Sequence, residues 1–213
     1  MTSKSTFPLR FTKIDDLTRT DHYYLDGSDT CYFLGEYTAR KDYSFSATNG
    51  LVKNFKKGME KQGMAEWFWK NRAIQQCAHA FRAALDENSL SSITFVPVPP
   101  SKCRTDAMYD DRMVQTLQLI RPNPPLDIRE MVLQQQSTHA VHEQDTRPTV
   151  RQLQAGYTLD EGLLANTRPC IAIVDDVLTT GCHFKAIQGL LLQKLPTAQI
   201  IGLFIARRAP EVT

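Results

Sequence analysis

Close cysteine pairs are missing from this chain. Its five cysteines, Cys31, Cys77, Cys103, Cys170 and Cys182, are odd in number, far apart and form no CxxC. That spacing fits neither a zinc site nor a disulfide framework. It suits mostly buried, reduced thiols of a cytoplasmic protein. Long apolar runs are missing too: none approaches the roughly 18 residues that span a bilayer. The first residues, MTSKSTFPLRF, lack the apolar core of a signal peptide. The expectation is a soluble cytoplasmic chain with no membrane partner. Charge of one sign is scarce, since 25 Lys and Arg face 23 Asp and Glu for a net +2. That does not mark an overall basic nucleic-acid binder, although local patches stay open. There is no internal repeat or low-complexity tract. Neither GxxxxGK followed by Ser or Thr, nor GxGxxG, occurs, so nucleoside triphosphatase and dinucleotide readings lose their main support. What remains is an ordinary globular composition, 42% hydrophobic and 23% charged over 213 residues. It suits one domain of about 200 residues, or a core with a smaller appended part.

The first fifty residues are polar and mixed. His22-Tyr23-Tyr24-Leu25 and Cys31-Tyr32-Phe33-Leu34 read as strands, parted by the turn Asp26-Gly27-Ser28-Asp29. The basic stretch Lys53 to Gly58 reads as a solvated helix face or loop, with phosphate contact as the alternative. Trp67, Ile74, Cys77, Ala78, Phe81, Ala84 and Leu85 recur at helical steps. At that spacing Trp67 and Trp69 read as core rather than as a stacking platform. Asp86 to Ser89 ends this helix. The rest alternates. Strands are expected at Ile93–Val98, Leu126–Leu133, Cys170–Val174 and Gln199–Ala206. Helices are expected at Met113–Ile120 with Asp110 or Asp111 as cap, at Thr149–Leu153 with Pro148 in its first turn, and at Phe184–Leu195, stopped by Pro196. Such alternation implies an α/β fold, a mainly parallel sheet flanked by helices with right-handed crossovers.

One segment carries most of the chemistry: Ile171-Ala172-Ile173-Val174-Asp175-Asp176-Val177-Leu178-Thr179-Thr180-Gly181. An apolar strand delivers two carboxylates to its end, and a loop of two hydroxyls and a glycine leads into a helix. Ligands of open parallel sheets bind at the carboxyl ends of strands. Loop amides, a glycine that permits close approach and the positive end of a helix together suit a phosphate. The acids suit sugar hydroxyls, for which a carboxylate is a good acceptor. A phosphate beside a diol describes a ribose 5-phosphate. The plainer alternative has Asp175 and Asp176 capping the helix and the threonines filling a turn.

This string resembles the diphosphoribosyl-binding signature of the type I phosphoribosyltransferases, whose fold is Rossmann-like. The resemblance implies that Asp175 and Asp176 are catalytic and hold the ribose hydroxyls of 5-phosphoribosyl-1-diphosphate (PRPP). It implies that Val177, Leu178, Thr179, Thr180, Gly181, Cys182 and His183 wrap its 5-phosphate. His183 stands where the family usually has a hydroxyl residue; its imidazole could donate to the phosphate and, when protonated, would favour the dianion. Upstream, Val96-Pro97-Val98-Pro99-Pro100-Ser101-Lys102 resembles the strand and diphosphate loop of the competence-protein F-like (ComF-like) branch. There Pro100, Ser101 and Lys102 would grip diphosphate, the bland alternative being a proline-rich turn. Tyr109-Asp110-Asp111-Arg112 departs from the branch's RGFN-type sequence, and Arg112 is either a phosphate contact or a helix-start ion pair. The polar stretch Gln134 to Pro148, with Ser137, Thr138, His139, His142 and Arg147, matches the interval where the family carries a mobile lid. Arg147 and Arg151 weakly resemble a basic position of the branch.

The resemblance spans about Ile93 to Arg207, which sets residues 91–213 as a phosphoribosyltransferase core and 1–90 as an N-terminal hood or accessory region. It implies a transferase that moves ribose 5-phosphate from PRPP to a nitrogenous small-molecule acceptor and releases diphosphate. Mg²⁺ would arrive with PRPP rather than on a protein-only site, and a homodimer is expected. The rival expectation is a regulatory module that binds PRPP or nucleotides without turnover, with nucleic acid as a partner through Lys53, Lys56 and Lys57. Arg207 and Arg208 would line the acceptor pocket or simply end the last strand in water.

Overall fold

A computed structural model describes residues 6–138 and 148–211. The architecture is α/β. Six strands form one mixed, mostly parallel sheet, in the order β1-β2-β8-β7-β3-β4. They are β1 (Thr12–Lys13), β2 (Thr30–Thr38), β3 (Ile93–Pro97), β4 (Asp127–Ile128), β7 (Cys170–Leu178) and β8 (Gln199–Ala209). Only β1 runs antiparallel to its neighbour. A separate antiparallel pair is made by β5 (Val132–Gln134) and β6 (Tyr157–Leu159). The longer helices are α2 (Ala47–Phe55), α3 (Trp67–Ala84), α5 (Arg112–Ile120) and α7 (Cys182–Lys194). The shorter ones are α1 (Asp16–Arg19), α4 (Glu87–Ser92) and α6 (Val150–Gly156). Among the described residues no helix is long and apolar enough to cross a membrane.

Side chains of a strand alternate between faces, and both faces of this sheet are covered. Ala172, Val174, Phe95, Leu203 and Ile205 pack with Phe55, Ile74, Cys77, Phe81 and Leu117 of α2, α3 and α5. Ile171, Ile173, Val96 and Phe204 pack with Phe184, Ile187 and Leu191 of α7 and with Met131, Val132 and Tyr157 beneath the small sheet. Burial on both faces is why β7 reads as an unbroken apolar run. The strand order reverses between β3 and β7. From β3 the chain goes outward through α5, on one face, to β4; from β7 it goes the other way through α7, on the opposite face, to β8. Neighbouring strands whose connections diverge leave a crevice beyond their carboxyl ends.

Residues 1–90 are not set apart from this core. β2 pairs with β8 from Thr30 to Thr38, and α2 and α3 cover one face of the sheet. Several expected elements are relocated. His22–Leu25 is a run of turns, not a strand: the His22 amide donates to Arg19 and the Leu25 amide to His22. Leu126–Leu133 divides between the two sheets: the Arg129 amide still donates to Phe95 of β3 while its side chain donates to the carbonyls of Leu163, Ala165 and Asn166, and from Val132 the chain pairs with β6 instead. Asp86 closes no helix; its side chain caps the start of α4. Trp67 is half-buried but Trp69 is 49% exposed, since residues two apart on a helix face different ways.

Ile173, fully buried between β3 and β8, is a direct measure of this core. Ile173→Ala is expected to lower the unfolding free energy by about 2–5 kcal/mol. Urea denaturation would show it as a lower midpoint with an unchanged slope.

Candidate functional site

The crevice between β3 and β7 is floored by the two acids. β3 ends at Pro97, and the Val98 amide still donates to the Val174 carbonyl at 2.9 Å. Pro99 and Pro100 have no amide hydrogen to continue the ladder, so the chain peels away there. β7 continues through Asp175 and Asp176 to Leu178, pairing only with β8. The edge that carries the acids is thereby opened on the β3 side, beside the Pro99–Lys102 loop.

The two carboxylates are adjacent in sequence but not in surroundings. Asp176 is buried, on the face of α2 and α5. Lys56 Nζ lies 2.9 Å from its Oδ1, and Arg112 Nη2 donates to its Oδ2 at 2.8 Å. Arg112 Nη1 reaches Asp110 at 2.6 Å, and the same Asp110 oxygen meets the Lys70 ammonium at 2.6 Å. Lys70, 1% exposed on α3, also donates to the carbonyls of Phe55 and Lys57. The chain Lys56–Asp176–Arg112–Asp110–Lys70 thus holds three cations to two carboxylates. Burial pushes the Asp176 carboxyl up, but Lys56 and Arg112 outweigh it and hold it well below the usual range. Burial pulls the Lys70 ammonium down against the attraction of Asp110. Asp175 is half-buried on the other face, where the Asp176 amide donates to its Oδ1 at 2.7 Å. Burial first, and the charge of Asp176 second, push its carboxyl up to about 7. Asp176 is therefore the more acidic of the two.

The loop from Thr179 to His183 is clamped from behind. The His22 imidazole is wholly buried and donates through Nδ1 to the Thr179 carbonyl, and the Tyr24 amide donates to the Thr180 carbonyl at 2.8 Å. In a trans peptide the N–H points opposite the C=O, so the clamp turns the amides of Thr180 and Gly181 the other way. Among the described residues, no amide from Thr180 to His183 donates to a protein acceptor. Gly181 caps α7 at φ +82°, and a Cβ there would lie 2.8 Å from Leu25 Cδ2. Only glycine fits both demands. The His183 imidazole takes Tyr157 Oη as its partner at 2.7 Å, and burial brings its pKa down to about 4. The ring is therefore neutral near pH 7, without the charge that would favour a phosphate dianion.

The Pro99–Lys102 loop lies across the crevice and is docked by the start of the Gln134–Pro148 stretch. The Thr138 amide donates to the Ser101 carbonyl at 2.8 Å, and the Cys103 amide donates to the Ser137 hydroxyl at 3.2 Å. His139, His142 and Arg147 lie outside the described residues. Arg151 is exposed on α6. Arg112 serves as the helix-start ion pair and, beyond it, as a partner of Asp176. Asp111 occupies the cap position of α5 without a side-chain cap, and Asp110 accepts the Arg112 amide instead. Arg207 does not end the strand in water: it is buried within β8 and pairs with Glu36 and, at 2.8 Å, with Asp21 beside His22.

The sequence reading offers Lys56 as a phosphate or nucleic-acid contact, Asp110 as a helix cap, and His22 and Tyr24 as strand residues, and so misses their roles here. It misses Lys70 altogether, although Lys70 shares the i, i+3, i+4, i+7 face of Ala73, Ile74 and Cys77, where an unpaired lysine is unexpected. No group of three or more His, Cys, Asp or Glu placed to hold a metal occurs among the described residues. Comparison with known protein families finds no match, and comparison with curated proteins finds none either.

Two outcomes follow for stability. Asp110→Ala leaves buried Lys70 and Arg112 short of a counter-charge and is expected to destabilise by about 3–5 kcal/mol in chemical denaturation. Replacing Lys70 and Asp110 together with Met and Leu should recover much of that loss. For His183, the unfolded ring protonates below its ordinary 6.5, whereas the folded ring resists until about 4. Its contribution is therefore complete above pH 6.5 and falls away towards pH 4. The unfolding free energy of the wild type relative to His183→Gln should rise with pH across that window and then level off.

Proposed function

We propose that this chain is a phosphoribosyltransferase of type I fold, moving ribose 5-phosphate from PRPP to a nitrogen nucleophile. The observation that carries the reading is the pairing, at one strand end, of an ionised carboxylate with a loop of unpaired amides. The crevice at a reversal of strand order suits such a ligand. The amides from Thr180 to His183, with the two threonine hydroxyls, would take the 5-phosphate. Asp176, kept ionised by Lys56 and Arg112, would accept from a ribose hydroxyl through lone pairs its cations leave free. Asp175 would take the other hydroxyl. Ser101 and Lys102, across the crevice, would meet the diphosphate. Mg²⁺ would come bound to PRPP; such an ion fills its shell with substrate phosphates, water and one or two carboxylates, so Asp175 is a sufficient protein donor. It would neutralise charge on the departing diphosphate.

In the reaction, the bond from acceptor nitrogen to C1 forms as the bond from C1 to diphosphate oxygen breaks. Diphosphate leaves with the bonding pair and takes up the proton that nitrogen sheds. The positive charge that builds on the ribose in such a loose transition state would be faced by Asp176, already ionised and fixed. Preorganised charge of this kind costs no reorganisation during reaction.

A second reading has one observation in its favour: both oxygens of Asp176 already carry a cation. A chain in which they stay engaged would bind PRPP or a nucleotide without turning it over, as a regulatory module. Isothermal titration with PRPP and Mg²⁺ is expected to show binding that Asp175→Asn with Asp176→Asn abolishes. Diphosphate release with a panel of nitrogen acceptors is expected from the wild type alone. Equal binding by wild type and double variant would overturn the site, and binding without release under any acceptor would favour the regulatory reading.

A further inference from the structure

Resting on that reading, we infer that the acceptor is anionic, and that Arg40 and Arg208 select it. A cavity of about 400 Å³ opens at the carboxyl ends of β2, β8 and β7, and Thr179 and Thr180 of the clamped loop form part of its wall. It lies on the β8 side of β7, whereas the Pro99–Lys102 loop lies on the β3 side. A displacement at C1 needs its nucleophile and its leaving group on opposite sides of the sugar. With diphosphate over the β3 loop, the nucleophile comes from this cavity.

The charges of the cavity are unbalanced. Its two acids are engaged elsewhere: Asp21 holds Arg207 at 2.8 Å, and Glu211 pairs with Lys41. Its two arginines are not. Among the described residues, neither the Arg40 nor the Arg208 guanidinium has a carboxylate within ion-pair distance or a hydrogen-bond acceptor. Arg40 also holds a left-handed backbone at φ +66°, unusual for a residue with a side chain. Arg208 is placed by strand pairing, opposite Tyr37 on β2. Two unspent guanidiniums at the rim of a polar cavity suit a planar carboxylate, which each can bind through parallel N–H donors. The substrate class is therefore a nitrogen heterocycle or aryl amine bearing a carboxylate.

The probes are three pairs of small molecules that differ only in carboxylate against carboxamide, built on pyridine, pyrimidine and aniline. They are titrated into the full chain by calorimetry with Mg²⁺ and ribose 5-phosphate, which holds the sugar site without reacting. At least one carboxylate is expected to bind about tenfold tighter than its amide. Arg40→Gln with Arg208→Gln should erase the difference, Arg208→Lys should keep part of it, and ribose 5-phosphate binding and thermal midpoint should stay as in the wild type. Equal affinity for both members of every pair, a preference that survives the double variant, or no binding by any probe would overturn the inference. Loss of ribose 5-phosphate and PRPP binding alongside an intact carboxylate preference would instead sink the transferase reading and leave the anion cavity standing.

Discussion

A carboxylate kept ionised where water is scarce needs cations that cannot drift away, and the structure is organised around supplying them to Asp176. Lys56 comes from the turn after α2, Arg112 from the first turn of α5, and Asp110 ties Arg112 to Lys70 deep in α3. Each member would be costly to bury alone, and each is tolerable because the next one is present. The network therefore does more than tune one acid. It fixes how three helices seat on one face of the sheet, and it makes residues 1–90 part of the site rather than an attachment to it. Burial, and then the charge of Asp176, push the neighbouring Asp175 the opposite way against the pull of Lys56 and Arg112, so that the acid on one face is held far more acidic than the one on the other.

The loop beyond Leu178 follows a complementary logic. Its carbonyls are engaged from behind by His22 and the Tyr24 backbone, and its amides from Thr180 to His183 are left without protein partners among the described residues. Amides without protein partners are uncommon away from water, and here they sit in a half-buried loop where a helix begins and a glycine holds a left-handed turn. Arg207, bridging β8 to Asp21, steadies the segment that does the clamping. Conformation at this loop is thus set by residues about 155 positions away in sequence.

Periodicity was sufficient for the architecture. The mainly apolar runs at Ile93–Val98, Cys170–Val174 and Gln199–Ala206 became parallel strands, because burial on both faces leaves few polar positions in them. The long helix was legible from its apolar steps. His22–Leu25 misled because aromatic and β-forming residues also occur in turns packed against a core, and propensity yields to tertiary contact. Leu126–Leu133 misled because composition cannot reveal that the chain changes pairing partner from β3 to β6 within that run.

The position of the candidate site was readable in the same way: a strand end with two acids, two hydroxyls and a glycine has one common use of its backbone, whatever surrounds it. Its electrostatic state was not. Nothing in the local string says that Asp176 has two cations, that His183 faces Tyr157 and stays neutral, or that Arg40, in the turn after β2, and Arg208, on β8, are brought to one cavity. Local sequence governs backbone form because φ, ψ and side-chain period are local properties. Charge state and ligand preference depend on distance through space, and only the folded chain sets those distances.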